Sequence, residues 1–265
     1  MRRRFTDIML FGVVSICIAT VWCCCTNILG GNRFPSPLDT LQYTLRSLSS
    51  SPIIRREGGG SSGFLPHIAA TLGSFTLAIV AGVPSGICLA GLVHGGGFFG
   101  DIAKRVLEFF RTLPPLIFIP FFMLLVGPGV SSVVLTASTY AALMCCFYAI
   151  SGLEQLDQQF VDSATLFGAS RWKIWWSVRL PAMLPVVLGG IRVSGALTLG
   201  IVIVAEYLGA SYGLGRTMRY AVSYSNALLL FSSVFWSVGV GLLFELLIAV
   251  VFRFKVKWMN VLPLS

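Results

Sequence analysis

Long apolar stretches alternate with short polar ones along nearly the whole chain of 265 residues. Six apolar stretches come close to, or exceed, the ~20 residues that a helix needs to cross the hydrocarbon core of a bilayer. They cover residues 7–29, 64–92, 106–126, 130–150, 182–207 and 227–252. The pattern predicts an all-α integral membrane protein with about six transmembrane helices.

Proline and glycine mark breaks within this pattern. Pro114 and Pro115 predict a kink in the third span, because proline cannot donate the helical hydrogen bond. The sequence 127–129, Gly-Pro-Gly, predicts a tight turn between the third and fourth spans. The second span also contains glycine and proline, which are tolerated where neighbouring helices satisfy the freed backbone groups.

The positions of the charges predict the orientation. The formal net charge is +9, but lysine and arginine occur in clusters between apolar stretches and not along one polar face. This distribution follows the positive-inside rule and gives no support for nucleic-acid binding. Arginines at 2–4 and the basic tail at 253–257 place both termini in the cytoplasm, with Arg216 and Arg219 as the main exceptions. Residues 151–181 are then cytoplasmic.

The amino-terminal part differs from the remainder in composition. Residues 1–63 predict a transmembrane anchor followed by an external connector with little fixed structure, whose most flexible part is the Gly/Ser run 58–63. Residues 64–265 form the predicted transmembrane domain. The first apolar stretch also resembles a secretory signal, but no small-x-small cleavage site follows closely, which favours a retained anchor.

Cysteine and histidine give no sign of a metal or catalytic centre. The seven cysteines lie in or beside apolar stretches without the Cys/His spacing of a zinc site, so we interpret them as small apolar side chains. The role of Cys23, Cys24 and Cys25 stays open. His67 and His94 are the only histidines and lie at predicted opposite membrane edges, which disfavours an intramembrane Ser/His hydrolase. We therefore predict no catalytic residue and no metal ligand.

The cytoplasmic segment 151–181 carries a recognisable spacing. Asp162-Ser163-Ala164 is followed by Gly168 and then, ten positions later, by Val178-x-Leu180-Pro181. This arrangement resembles the EAA motif of ABC importer permeases, with Asp and Ser in place of Glu and the first Ala. Independently of that resemblance, the residues predict a helix over 158–166, a left-handed turn at Gly168 and a second helix over 172–178.

The resemblance implies a specific role for this segment. In the family it is the coupling helix, which docks on a separate ATPase subunit. The ATPase-contacting residues implied here are Asp162, Ser163, Ala164, Gly168, Ala169, Ser170 and Arg171, with Leu180 and Pro181 completing the motif. The chain contains no G-x-x-x-x-G-K-[ST] loop, so we expect ATP to be used by the partner and no cofactor to be bound by this chain.

Three other stretches of sequence resemble the nitrate, sulfonate and taurine branch of that family. They are residues 203–215, residues 111–115 and residues 168–172 of the cytoplasmic segment, and the likeness extends over about residues 66–252. It implies a bacterial cytoplasmic-membrane permease that works by alternating access, pairs with a second, identical subunit and receives cargo from an external binding protein. A small anion such as a sulfonate, taurine or nitrate is favoured; thiamine precursors and riboflavin-like compounds stay open.

Ionisable residues within the spans are candidates for the translocation pathway, because a charge at the bilayer centre costs at least ~2.5 kcal/mol. We select Arg192, Glu206 and Glu245, and expect Arg192 to face either the pathway or Glu245. Glu108 and Arg111 are three residues apart and could pair with each other. A structural ion pair or a snorkelling side chain is the alternative for each of these residues.

Two other functions compete with the importer. A gradient-driven secondary transporter or channel would have no ATPase on which the cytoplasmic segment 151–181 could dock. A membrane anchor without transport activity would tolerate loss of that segment.

Overall fold

A computed structural model describes residues 2–56 and 63–255, and helices are the only regular secondary structure in that part of the chain. Most of the predicted flexible run 58–63 and residues 256–265 lie outside it. The helices are α1 Arg2–Leu29, α2 Pro37–Arg46, α3 Pro52–Arg56, α4 Leu65–Gly95, α5 Gly97–Thr112, α6 Phe118–Val126, α7 Val130–Glu154, α8 Gln158–Leu166, α9 Arg171–Ile174, α10 Leu180–Gly209, α11 Leu214–Ser223 and α12 Ala227–Lys255.

The helix lengths confirm the predicted fold class. Five helical segments are long and apolar enough to cross a membrane, and a sixth span results if α5 and α6 count as one broken crossing. The long segments are α1, α4, α7, α12 and a continuous helix from α9 through α10. The prediction of an all-α protein with about six transmembrane helices is therefore confirmed, while the cytoplasmic placement of both termini stays a prediction.

The third predicted span is broken more sharply than a kinked helix. Helix α5 and the helical segment Pro115–Val126 meet at 87°. Leu113 and Pro114 are both extended because each precedes a proline, a position that disfavours α-helical backbone, and a short 3₁₀ turn, Pro115–Ile117, follows. The helix that ends at this break, α5, begins at Gly97, well before residue 106, where the third apolar stretch starts.

The connector predicted to lie outside the membrane is more ordered than the sequence indicated. Helix α2 begins at Pro37, and the Ser36 side chain accepts a hydrogen bond from the Asp39 N–H at 3.1 Å. Helix α3 follows at Pro52. The interpretation of this region as having little fixed structure was therefore wrong, because a serine N-cap with proline at the first helical position is sufficient to start a helix here.

The chain forms two compact units. Unit 1 comprises Met1–Ala70 and Tyr212–Gly239, and unit 2 comprises Thr71–Ser211 and Val240–Ser265. In unit 1, the rings of Trp22, Phe34 and Phe231 pack edge-on or tilted against one another, with centroids 4.9–6.3 Å apart. His67 is fully buried there and its Nδ1 accepts the Gly213 N–H at 3.2 Å.

The core of unit 2 consists of apolar side chains from α4, α7 and α10, including Ala90, Cys145, Ala149, Met183 and Val187. Small residues allow these helices to approach closely. A Cβ on Gly82 would lie 2.6 Å from the Ala141 Cβ, and one on Gly86 would lie 2.5 Å from the Ala142 carbonyl oxygen. Close approach at small residues is how helices associate in lipid, where there is no hydrophobic driving force between them. This rigid core holds the segment that connects α7 to α10.

Candidate docking knob and intramembrane charges

The connection between α7 and α10 folds into a compact projection, which we call the knob (residues 157–179). Its first helix, α8, is capped by Asp157, whose carboxylate accepts the Gln159 N–H at 3.1 Å. Hydrogen bonds from the Gln159 side chain and, secondly, its backbone hold the pKa of Asp157 below its ordinary value. The ionised cap satisfies one of the free N–H groups at the start of the helix.

The end of α8 forms a left-handed turn at Gly168. The glycine has φ +76°, its N–H donates to the Thr165 carbonyl at 2.9 Å, and the Ala169 N–H donates to the Ala164 carbonyl at 3.0 Å. This pair of bonds is a Schellman motif, in which glycine is favoured because a Cβ strains the left-handed conformation. The predicted turn at Gly168 and the predicted helix over 158–166 are both confirmed.

The second helix of the knob, α9, begins at Arg171, directly after the turn. The Ser170 side chain caps α9 by accepting the Lys173 N–H at 3.3 Å. Helix α9 passes through a π-helical turn, Trp175–Arg179, directly into α10 at Leu180 and Pro181. The knob is therefore continuous with a membrane-spanning helix.

The motif residues are placed as the spacing predicts, on an accessible projection. Asp162, Ser163, Gly168, Ser170 and Arg171 are exposed. Ala164, Ala169, Leu180 and Pro181 are half-buried. The Asp162 carboxylate accepts a hydrogen bond from the Gln158 side chain at 3.1 Å. Their contact with an ATPase stays a prediction.

The knob also has an apolar tip that the motif did not indicate. Leu166 is 88% exposed, Phe167 is 92% exposed and Trp172 is 71% exposed. Val161 and Ile174 are buried, so the apolar residues of the knob divide into anchors and an exposed set. The signal was visible in the sequence as a Leu-Phe pair directly before the turn glycine. Side chains of this size, exposed together on a capped projection, are typical of a protein interaction site.

The structure brings Arg192 and Glu245 together in unit 2. The Arg192 Nε donates to the Glu245 Oε1 at 2.6 Å, and a second guanidinium nitrogen also contacts that oxygen. Their side chains are 57% and 41% exposed. Both lie well inside α10 and α12, so an ion pair occupies the outer surface of otherwise apolar helices.

Glu206 has a different setting. It is 1% exposed, and the Thr71 Oγ1 donates to its carboxylate at 2.8 Å. The role of Glu206 in the pathway stays a prediction.

The suggested Glu108–Arg111 pair does not form within the described residues. Instead, the Arg111 guanidinium lies over the Phe147 ring, 5.1 Å from its centroid. Lys104, one turn before Glu108, pairs with Glu154 at 2.5 Å. Residues 2–56 and 63–255 contain no group of three His, Cys, Asp or Glu side chains that could hold a metal ion.

Comparison with known proteins agrees with this combination of apolar helices long enough to cross a membrane and a capped helical projection between two of them. Residues 82–260 match the family model described as "Binding-protein-dependent transport system inner membrane component". The chain therefore belongs to this family of inner-membrane permease subunits of ABC importers.

Individual relatives differ in the cargo for which they are named. The taurine transport system permease protein TauC of Escherichia coli is 28% identical over 217 residues, covering 79% of this chain and 74% of that protein. The glycine betaine/carnitine transport permease protein GbuB of Listeria monocytogenes is 32% identical over 160 residues, 59% of this chain and 54% of that protein. These names support an importer permease and leave its cargo undecided.

A solved structure shows the same fold. A chain from a bacterial ABC transporter involved in the import of the acidic polysaccharide alginate aligns with a TM-score of 0.64 and 13% identity, over 95% of this chain and 98% of its own length.

Proposed function

We propose that this chain is the translocation subunit of an ATP-driven importer for a small organic or inorganic anion, and that its knob docks on a separate ATPase. The observation that carries this proposal is the exposed apolar tip of Leu166 and Phe167, held by the Schellman turn at Gly168. A rigid, capped projection with a large apolar tip suits insertion into a cleft on a partner. ATP binding and hydrolysis belong to that partner, and the permease chain has no cofactor of its own.

A second, identical permease subunit is part of the proposal. Lipid is a poor neighbour for the half-exposed Arg192–Glu245 pair, since a charge in the hydrocarbon core costs at least ~2.5 kcal/mol even by the mildest scale. The surface that carries this pair instead faces a second copy or the aqueous pathway between two copies. The pair then has a polar or protein environment on its open side.

An external binding protein delivers the cargo. Support comes from the family description, which names a binding-protein-dependent system, and from the likeness to the taurine permease. Selectivity lies mainly in that binding protein, while this chain provides a weak, transient path by alternating access.

The docking proposal is tested by affinity purification of the tagged chain in mild detergent, followed by identification of any P-loop ATPase and measurement of its ATP hydrolysis. Phe167→Asp puts a charge on the apolar tip without disturbing a buried contact. Interface hot spots are worth about 2 kcal/mol or more, so we expect a roughly 30-fold loss of retained ATPase.

The matched control is Gln155→Ala, an exposed polar residue just before the knob. It should retain the ATPase at the wild-type level. Recovery of no ATPase with the intact wild type, or equal recovery with Phe167→Asp, contradicts the proposal and directs attention to gradient-driven uptake.

A further inference from the structure

Two clefts meet at Arg111 in unit 2. The first, the apolar cleft, has a volume of about 420 Å³ and is lined by Arg111, Leu116, Tyr140, Leu197, Gly200 and Val204, among others. The second, the polar cleft, has about 320 Å³ and includes Lys104, Glu108, Arg111 and Glu154. Arg111 and Met144 line both, so the guanidinium lies where the two clefts join.

The apolar cleft lies at membrane depth. Met144 is 14 residues from the start and 10 from the end of α7. At 1.5 Å per residue, it is therefore about 21 Å and 15 Å from the ends of a membrane-spanning helix. The opposite wall, Leu197 to Val204, lies within the span formed by α10.

The broken helix leaves irregular backbone beside the cleft at membrane depth. Residues 113–117 are not α-helical, and Leu116 and Ile117 are about half exposed. Irregular backbone at membrane depth is tolerated only when it is covered by protein or lines a water-filled cavity. In secondary transporters, discontinuous helices at this depth hold the cargo.

Charge selects the class of ligand. Among the described residues that line the apolar cleft, Arg111 is the only charged one. In the polar cleft, Lys104 is paired with Glu154 and Glu108 is acidic, so the lining other than Arg111 carries a net negative charge and does not attract an anion. A guanidinium at the end of an apolar cavity, steadied by the Phe147 ring, suits a sulfonate or carboxylate that it can bind with two parallel hydrogen bonds.

We infer that Arg111 and the apolar cleft form the site that holds the anionic group of the cargo during passage, with the short organic body of the cargo against Leu197 and Val204. The inference rests on the proposed function and adds the residue and the chemical class of ligand. A cavity of this volume lies within the usual 300–1,000 Å³ range of small-molecule sites.

The test uses two thiol reagents of opposite charge, 2-sulfonatoethyl and 2-(trimethylammonium)ethyl methanethiosulfonate, on the complete complex in membrane vesicles. A cysteine is introduced by Leu197→Cys, and separately by Val204→Cys, in a chain whose seven native cysteines are replaced by alanine. The ratio of the two labelling rates reports the local preference for anions and requires no knowledge of the cargo.

We expect Arg111→Gln to lower the anion-to-cation rate ratio at both positions about tenfold, and Arg111→Lys to restore most of it. The matched control is Arg105→Gln, which removes an exposed arginine of the same helix that lines neither cleft. An unchanged ratio in Arg111→Gln, or the absence of labelling at both positions, overturns the inference.

Co-purification of the ATPase is measured on the same preparations, which separates the two proposals. If the ATPase is retained and the ratio does not change, the anion site is wrong and the importer stands. If the ratio changes as expected and no ATPase is retained, the result counts against the importer alone.

Discussion

Replacing Gly168 by alanine tests how far docking depends on the turn of the knob. An ideal Cβ at Gly168 meets no atom within 4 Å, so alanine brings no clash and only the backbone conformation at φ +76° is at stake. An L-residue in this conformation costs about 1–2 kcal/mol. Alanine also has less conformational entropy than glycine in the unfolded chain, so less entropy is lost on folding. This offsets about 0.4–1 kcal/mol of the strain. A net loss of about 1 kcal/mol lowers the equilibrium constant for forming the turn about fivefold.

Two variants bracket this prediction. Gly168→Asn should recover most of the loss because asparagine enters the left-handed region more readily than alanine. Gly73→Ala is the matched control, since a Cβ there also meets nothing within 4 Å but the residue lies inside α4 with a negative φ. It should be neutral or slightly stabilising.

The assay measures retained ATPase per permease, together with the rate of tryptic cleavage after Arg171 and Lys173, which follow the turn. We expect Gly168→Ala to lose ATPase and to be cleaved faster, in proportion to the opening of the turn. If Gly168→Ala equals Gly73→Ala in both measurements, the left-handed turn does not control docking.

Three further changes have definite expected outcomes. Arg192→Ala should reduce the yield of folded, detergent-extracted protein more than the double change Arg192→Ala/Glu245→Ala, because the single change leaves the Glu245 carboxylate within the membrane span without its cation. A double-mutant cycle of thermal unfolding whose coupling energy lies below the error of measurement would refute this. The lowered pKa of Asp157 means that its cap contributes stability above the ordinary aspartate pKa of 3.8 and loses it as the pH falls through the lower folded value. Cleavage of the knob by pepsin, carried out at each pH on the detergent-held protein and expressed relative to Asp157→Asn, should therefore rise only below about pH 4. Gly86→Ala should destabilise the chain by about 1–3 kcal/mol because its Cβ meets the α7 backbone, whereas Gly189→Ala, whose Cβ meets nothing within 4 Å, should be tolerated, as thermal unfolding will show.

Local chemistry explains which parts of the fold could be predicted from the sequence. The positions of α4, α7, α10 and α12 follow from apolar length alone, and the turn of the knob follows from a glycine, Gly168, placed where the backbone becomes left-handed. Helix α2 was missed although Ser36-Pro37-Leu38-Asp39 contains a cap and a favourable first residue, because a short amphipathic helix does not stand out in a stretch rich in polar residues.

Other features depend on contacts that no local pattern contains. Pro114 and Pro115 predicted a bend, but the angle of 87° depends on how α6 packs against α7. Glu206 was selected as a pathway candidate from the sequence, yet it is 1% exposed and accepts a hydrogen bond from Thr71, 135 positions away in the chain. For the same reason, Arg111 could be recognised as intramembrane but not as the residue at which two clefts join.

The unbroken helical path from the knob into the membrane has a mechanical consequence. Residues Arg171–Gly209 form one span of 39 residues, which at 1.5 Å per residue is about 58 Å long. A rod of this length that pivots near its outer end moves its inner end by about 5 Å for a tilt of only about 5°. Side chains halfway along, such as Arg192, move by roughly half as much. In the proposed complex, a small displacement of the knob by the ATPase would therefore reach the middle of the membrane span along one continuous helical path.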